Sequence, residues 1–171
     1  MSNKPPKKSE IFPTFMQISN ISTGFIEIPG QISLNLHVQG CKMRCKGCQN
    51  PELLPFEGGT TITLDDLPLI LKGRDLPTWI CWLGGDAVYQ SEGFLAFNRF
   101  FKECGYKICL YTGKMLDDVK ELLENVDLVV DGAWEGIPVV NENTNQGVYL
   151  KNNSKWNKKS FVELKETLLG V

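Results

Sequence analysis

His37-Val38-Gln39-Gly40-Cys41-Lys42-Met43-Arg44-Cys45-Lys46-Gly47-Cys48-Gln49-Asn50 is the stretch around which the chain is organised. Three of the six cysteines fall within eight residues here, spaced C-x3-C-x2-C. Thiols at this density, in a chain with no sign of secretion, point to a metal or cluster site rather than to disulfides. Three ligands are one short of a closed four-ligand site, and a centre with an open position is there to bind and react. With iron and sulfide the natural product is a 4Fe–4S cluster whose fourth iron has no protein thiolate. The competing reading is a structural zinc site of the Cys3His type, with His37, the chain's one histidine, as the fourth ligand.

Working outward, the residues before the cysteines form the clearest strand. Ile32, Leu34, Leu36 and Val38 alternate with Ser33, Asn35, His37 and Gln39, a period of two with one apolar and one polar face. Gly40 ends it. Upstream, Phe15 to Ile21 reads as a first strand and Pro29-Gly30 as a turn. Downstream, Pro51, Pro55 and Gly58-Gly59 predict an irregular loop. Thr63 with Asp66 forms a capping pattern for a helix to Leu71, with Pro68 accommodated if the helix starts two or three residues later. Thr78 to Leu83 reads as a buried strand closed by Gly84-Gly85-Asp86. Ser91 is the expected cap of a helix to Glu103, whose Phe94, Leu95, Phe97, Phe100 and Phe101 make an apolar core stripe. A strand over Lys107 to Tyr111 ends at Thr112-Gly113. A helix is expected over Met115 to Glu124, then a short strand from Asp127 to Val130 ending at Asp131-Gly132. Residues Ala133 to Asn153 read as irregular. Ser160 and Glu163 form a capping box for a last helix to Leu169.

Strand, loop and helix repeated in this way predict an α/β fold with a mostly parallel sheet. Right-handed crossovers bring the strand C-termini to one edge, where α/β proteins place their sites. The cysteine loop, Gly84-Gly85-Asp86, Thr112-Gly113 and Asp131-Gly132 all follow strands, so they are expected to converge. A closed eight-unit barrel needs about 250 residues. The 171 residues here leave room for an open partial (βα) barrel, expected as a single domain over residues 11–171 behind a disordered polar tail, residues 1–10.

The net charge of −2 and pI near 5.5 give no global field for nucleic acid or an anionic membrane. No apolar run approaches the roughly 20 residues that span a bilayer. Lys4, Lys7 and Lys8 have no apolar segment behind them, unlike a signal peptide, so a reducing cytoplasm is the expected location.

C-x3-C-x2-C resembles the cluster motif of the radical S-adenosylmethionine (SAM) superfamily. The wider run Val38-Gln39-Gly40-Cys41 and Cys45-Lys46-Gly47-Cys48-Gln49-Asn50-Pro51-Glu52 resembles the activating proteins of anaerobic ribonucleoside-triphosphate reductase. The resemblance implies that Cys41, Cys45 and Cys48 hold a 4Fe–4S cluster and that SAM is the second cofactor. It implies contacts to SAM from Gly84, Gly85, Asp86, Thr112 and Gly113, with Asp86 as an acceptor for the SAM ammonium. Ala87 departs from the proline usual after that turn. No catalytic side chain beyond the cluster ligands is implied. The implied activity is reductive SAM cleavage and formation of a glycyl radical on the large subunit of the reductase. The electron donor would be of flavodoxin or ferredoxin type. Another glycyl-radical enzyme, such as pyruvate formate-lyase, or a small molecule is the alternative target.

Overall fold

The computed structural model describes residues 14–171. The expected tail over residues 1–10 lies outside them. The elements, in chain order, are β1 (Phe15–Gly24), β2 (Ser33–Val38), β3 (Thr60–Thr63), α1 (Leu67–Leu71), β4 (Trp79–Gly84), α2 (Ser91–Glu103), β5 (Lys107–Tyr111), α3 (Leu116–Val119), β6 (Leu128–Asp131), β7 (Gly147–Asn152), β8 (Lys155–Lys159) and α4 (Phe161–Leu169). All eight strands form one sheet in the order β3-β1-β2-β4-β5-β6-β7-β8. Its ends are β3 and β8, so the sheet is an open α/β wall rather than a closed barrel.

The centre is the parallel βα array that the sequence predicts. The pairs β2–β4, β4–β5 and β5–β6 are parallel, with Leu36 opposite Trp82 and Cys81 opposite Cys109. The flanks are antiparallel: β1 pairs with β2 and β3, and β7 with β6 and β8. The parallel description therefore holds for the central strands only. The irregular reading of Ala133 to Asn153 is corrected by β7, and β8 follows it. Asn153 and Ser154 join the two with φ of 47° and 62°. Positive φ at both central residues marks a type I′ hairpin turn, normally announced by glycine, which is missing here. β8, Lys155-Trp156-Asn157-Lys158-Lys159, carries the lysines that protect a free sheet edge.

Two apolar layers cover the two faces. Leu34, Leu36, Ile80, Trp82, Ile108, Leu110 and Val129 face α1, α2 and α3. Phe94, Phe97 and Phe101 of α2 are fully buried, as the aromatic stripe predicts. Their centroids lie 5.4, 6.3 and 6.3 Å from the Trp82 indole, and the indole N–H donates to Asn98 Oδ1 at 2.7 Å. That bond explains a polar residue inside the stripe, because a buried indole N–H needs an acceptor. On the other face, Trp79, Cys81, Cys109, Leu128 and Val130 pack with Ile28 and with Leu164 of α4. The polar side of β2 belongs to this inner face. Ser33 and Asn35 are buried and hydrogen-bonded to each other at 2.7 Å.

Helix starts differ from expectation in instructive ways. Thr63 and Asp66 do form a capping box, but for a 3-10 turn over Leu64–Asp66; α1 then begins at Leu67 with Pro68 in its first turn. Ser91 is the first residue of α2 and not its cap. A 3-10 turn over Ala87–Gln90 precedes it, capped by the Asp86 carboxylate. The helix expected to Glu124 is only α3 followed by a 3-10 turn over Lys120–Leu122. Ser160 and Glu163 form the predicted capping box, and α4 ends on Gly170 at φ 71°.

Candidate functional site

The C-terminal ends of β2, β4, β5 and β6 are laced together by backbone hydrogen bonds that continue past the strands. Gly85 N donates to Val38 O at 2.8 Å and Asp86 N to Gly40 O at 2.9 Å; Thr112 N donates to Val130 O at 3.0 Å and Gly132 N to Lys114 O at 3.1 Å. Two buried carboxylates complete the lacing. Asp86 Oδ2 accepts from Thr112 Oγ1 at 2.8 Å and from Gly113 N at 3.0 Å, and Oδ1 accepts a long bond from Val88 N at 3.4 Å. Asp131 accepts from Leu116 N at 2.7 Å and Gly147 N at 3.0 Å, serving the start of α3 from another strand.

These turns surround a cavity of about 420 Å³, within the range of small-molecule sites. Cys41, Cys45, Cys48, Gly84, Gly85, Asp86, Thr112 and Gly113 all line it. The convergence expected from strand order is therefore present in space. None of these cysteines is in a disulfide. The remaining cysteines lie elsewhere: Cys81 and Cys109 are buried in the inner sheet face, and Cys104 is exposed at the end of α2.

The glycines and Asp86, which line the cavity, also brace its walls. Gly84 has φ 85°, where a side chain is strained. A Cβ on Gly85 would stand 2.4 Å from Gly40 O and 2.7 Å from Val38 O. The close approach that needs glycine is thus to the backbone leading into the cysteine loop. Asp86 is 2% exposed; its Oδ2 holds β4 to β5 through Thr112 and Gly113, while Oδ1 takes only the long bond from Val88 N. Burial pushes its pKa up to about 6, against the donors Thr112, Gly113 and Val88 and the charge of Lys114. Burial likewise pushes the Cys41 thiol to about 11; the Met43 backbone bond opposes this, and Asp86, Cys45 and Cys48 add to it.

His37 is half-buried on the cavity wall, and burial, opposed by Glu27, holds its pKa below the ordinary value. Among the described residues, no three His, Cys, Asp or Glu side chains are gathered to share one metal ion. A 4Fe–4S cube takes one thiolate per iron, so its ligands need not meet at a point. Three thiols and no fourth on one cavity fit such a cube with one iron left open.

Sequence reasoning misses part of the lining: Glu27, Leu83 and Trp134, with Tyr111 recognised only as part of its turn. Tyr111 donates its hydroxyl to Glu27 O at 2.7 Å. Trp134 donates its indole N–H to Gly47 O at 3.0 Å. Gln146 lines the cavity too, and its amide donates to Gly132 O at 3.4 Å. No local pattern announces these contacts, which join residues far apart in sequence. Arg44, which reads as a loop charge, donates from Nη1 to Cys41 O at 2.7 Å and Met43 O at 2.9 Å.

Fold and site together define an open α/β sheet that presents three unpaired thiols at a cavity on its C-terminal strand edge. A protein-family model described as "4Fe-4S single cluster domain" matches residues 29–154. The chain belongs to that family, and a 4Fe–4S cluster is its cofactor. The pyruvate formate-lyase 1-activating enzyme of Escherichia coli (strain K12) is 32% identical over 123 residues, 64% of this chain and 48% of that protein. The pyruvate formate-lyase-activating enzyme of Clostridium pasteurianum is 29% identical over 116 residues, with the same coverages of 64% and 48%. The chain thus spans about half the length of the curated relatives it matches. Among solved structures, QueE from Escherichia coli is similar over 58% of this chain and 53% of its own, with a TM-score of 0.47 and 14% identity. The two activating enzymes, by their names, act on pyruvate formate-lyase, the alternative target that the resemblance implies. Among the described residues no helix is long and apolar enough to cross a membrane.

Proposed function

We propose that the chain is a radical SAM activase that makes a glycyl radical on a partner enzyme. The observation that carries this reading is a cavity lined by three free thiols and by the turns after β4 and β5. Cys41, Cys45 and Cys48 would hold the cluster through one thiolate each, with one iron open to SAM. A cluster held there would supply, once reduced by an external donor, the one-electron chemistry that cleaves SAM and lets hydrogen be taken from a glycine of the partner. The chain's own groups position and enclose. Gly84, Gly85, Thr112 and Gly113 line the cofactor space, and Asp86 fixes the turns after β4 and β5 relative to each other. Asp86, which lines the cavity, would offer Oδ1 as an acceptor for the SAM ammonium. Leu83 and Trp134 give the cavity an apolar stretch of wall. The reading requires no acid or base; the one imidazole on the cavity has its pKa lowered by burial, against the opposing charge of Glu27.

The target we propose is the large subunit of anaerobic ribonucleoside-triphosphate reductase, supported by the run from Val38 to Glu52. The identity of 29–32% to activating enzymes of pyruvate formate-lyase favours a second reading, in which that type of enzyme is the target. A flavodoxin- or ferredoxin-type donor would supply the electron in a reducing cytoplasm, and the exposed Lys42, Arg44 and Lys46 offer an acidic donor a basic rim. The test is electron paramagnetic resonance (EPR) after anaerobic incubation with SAM, reductant and each candidate partner. A glycyl radical on the reductase supports the first target, and one on the lyase alone supports the second. A radical on neither, from chain that cleaves SAM, refutes both.

A further inference from the structure

We infer that Trp134 is a positioning residue that clamps the cysteine loop onto the end of β6 and so retains the cluster. The inference rests on the proposal that Cys41, Cys45 and Cys48 are the cluster ligands, and goes beyond it by naming what holds two of them in place. The loop is anchored unequally. At its start, Gly40 N and Cys41 N donate to Leu53 O at 2.8 Å and Leu54 O at 3.0 Å. Met43 packs on Gly113, where a Cβ would stand 3.1 Å from its Cγ. The second half, which carries Cys45 and Cys48, is a turn closed by Cys48 N to Cys45 O at 3.2 Å, with Gly47 at φ 68°. That φ at the third position is what a type II turn requires. A Cβ on Gly47 would meet nothing within 4 Å, so the turn stands clear of packing. Among the described residues, the hydrogen bond that ties this turn to another part of the fold is Trp134 Nε1 to Gly47 O at 3.0 Å, across 87 residues of sequence.

The other end of the clamp is firm. Trp134 follows Asp131 and Gly132 closely in the chain. Asp131 is buried and doubly bonded to Leu116 N and Gly147 N, and Gly132 N is bonded to Lys114 O. The indole also lines the cavity. One side chain therefore fixes the carbonyl between the second and third cysteines and walls the space beside them. In the absence of that bond the two thiols sample more positions, and each excursion exposes iron to solvent.

The test uses the full chain, reconstituted anaerobically with iron and sulfide, and follows iron transfer to a ferrous chelator. Trp134→Phe keeps a ring on the cavity wall and loses the donor. A hydrogen bond of ordinary net worth corresponds to about a fivefold effect. Trp134→Phe should lose iron about fivefold faster than wild type, and Trp134→Ala faster still, with the urea midpoint of Trp134→Phe unchanged. Wild-type release from Trp134→Phe would overturn the inference, as would a fall in its urea midpoint in step with the release rate. A wild-type chain that takes up no 4Fe–4S cluster would overturn the ligand assignment and the inference together. Wild type that loads normally beside an indifferent Trp134→Phe would overturn the inference alone.

Discussion

Replacing Asp86 by asparagine should change how stability depends on pH, in a direction opposite to that of most carboxylates. Asp86 is almost wholly buried, and burial raises its pKa from 3.8 to about 6. The folded chain therefore keeps this proton up to about pH 6, while the unfolded chain gives it up near pH 4. Stability from the group is full below the unfolded value and is lost as pH rises through the folded one. At about 1.4 kcal/mol per pH unit, the gap is worth about 3 kcal/mol. The asparagine side chain introduced by Asp86→Asn is close to an isostere of the neutral acid: its oxygen can take the Oδ2 place and accept from Thr112 and Gly113. Its amide would face Val88 N, which now donates at a long 3.4 Å, a loss of about 1 kcal/mol at most. Urea unfolding of wild type and Asp86→Asn without metal, between about pH 4 and pH 7, measures the difference and cancels the other titrating groups. Wild type should fall relative to the variant by about 2.4 kcal/mol across that range, the rest of the difference lying below about pH 4. A difference independent of pH, or wild type gaining on the variant as pH rises, would refute the reasoning that burial dominates at this carboxylate.

Other outcomes follow from the same geometry. Cys45→Ala should abolish the visible absorbance of the reconstituted cluster, whereas Cys81→Ala, in the buried inner face of the sheet, should keep it; the absorbance spectra of the two decide this. Because the Cys41 thiol is held near 11, loading must release its proton. Cluster affinity measured against a competing chelator should therefore strengthen by about tenfold per pH unit from this thiol alone between about pH 7 and pH 9. Ser160→Ala removes the side chain that accepts from Glu163 N at 3.1 Å and should cost about 1 kcal/mol in unfolding free energy. Glu163 itself is held below the usual carboxylate range by its bonds to Ser160. The stabilisation it gives is present above the ordinary carboxylate pKa and fades as pH falls through the lowered one.

The parts of the molecule legible in the sequence are those encoded by local pattern. The period-two alternation of Leu34, Leu36 and Val38 marks β2, and the glycine and aspartate turns mark the strand ends that enclose the cavity. The aromatic spacing of α2 and the Ser160 capping box are local in the same sense. The β7–β8 hairpin is hidden because Asn153-Ser154 adopts left-handed geometry without the glycine that advertises it. The role of Asp86 is hidden for another reason. A carboxylate beside two glycines gives no sign of a brace, because its donors Thr112 and Gly113 arrive from the next strand. Trp134 is the extreme case: its partner Gly47 lies 87 residues away, and nothing near either residue in sequence marks the pair.

The central claim is that three thiolates leave one iron free to engage SAM. Its most direct measurement is anaerobic reconstitution of the chain with iron and sulfide, followed by dithionite and SAM, with 5′-deoxyadenosine and methionine quantified together. The account predicts both products in equal amounts, and neither from Cys45→Ala. A fully loaded wild-type cluster that leaves SAM intact would contradict it.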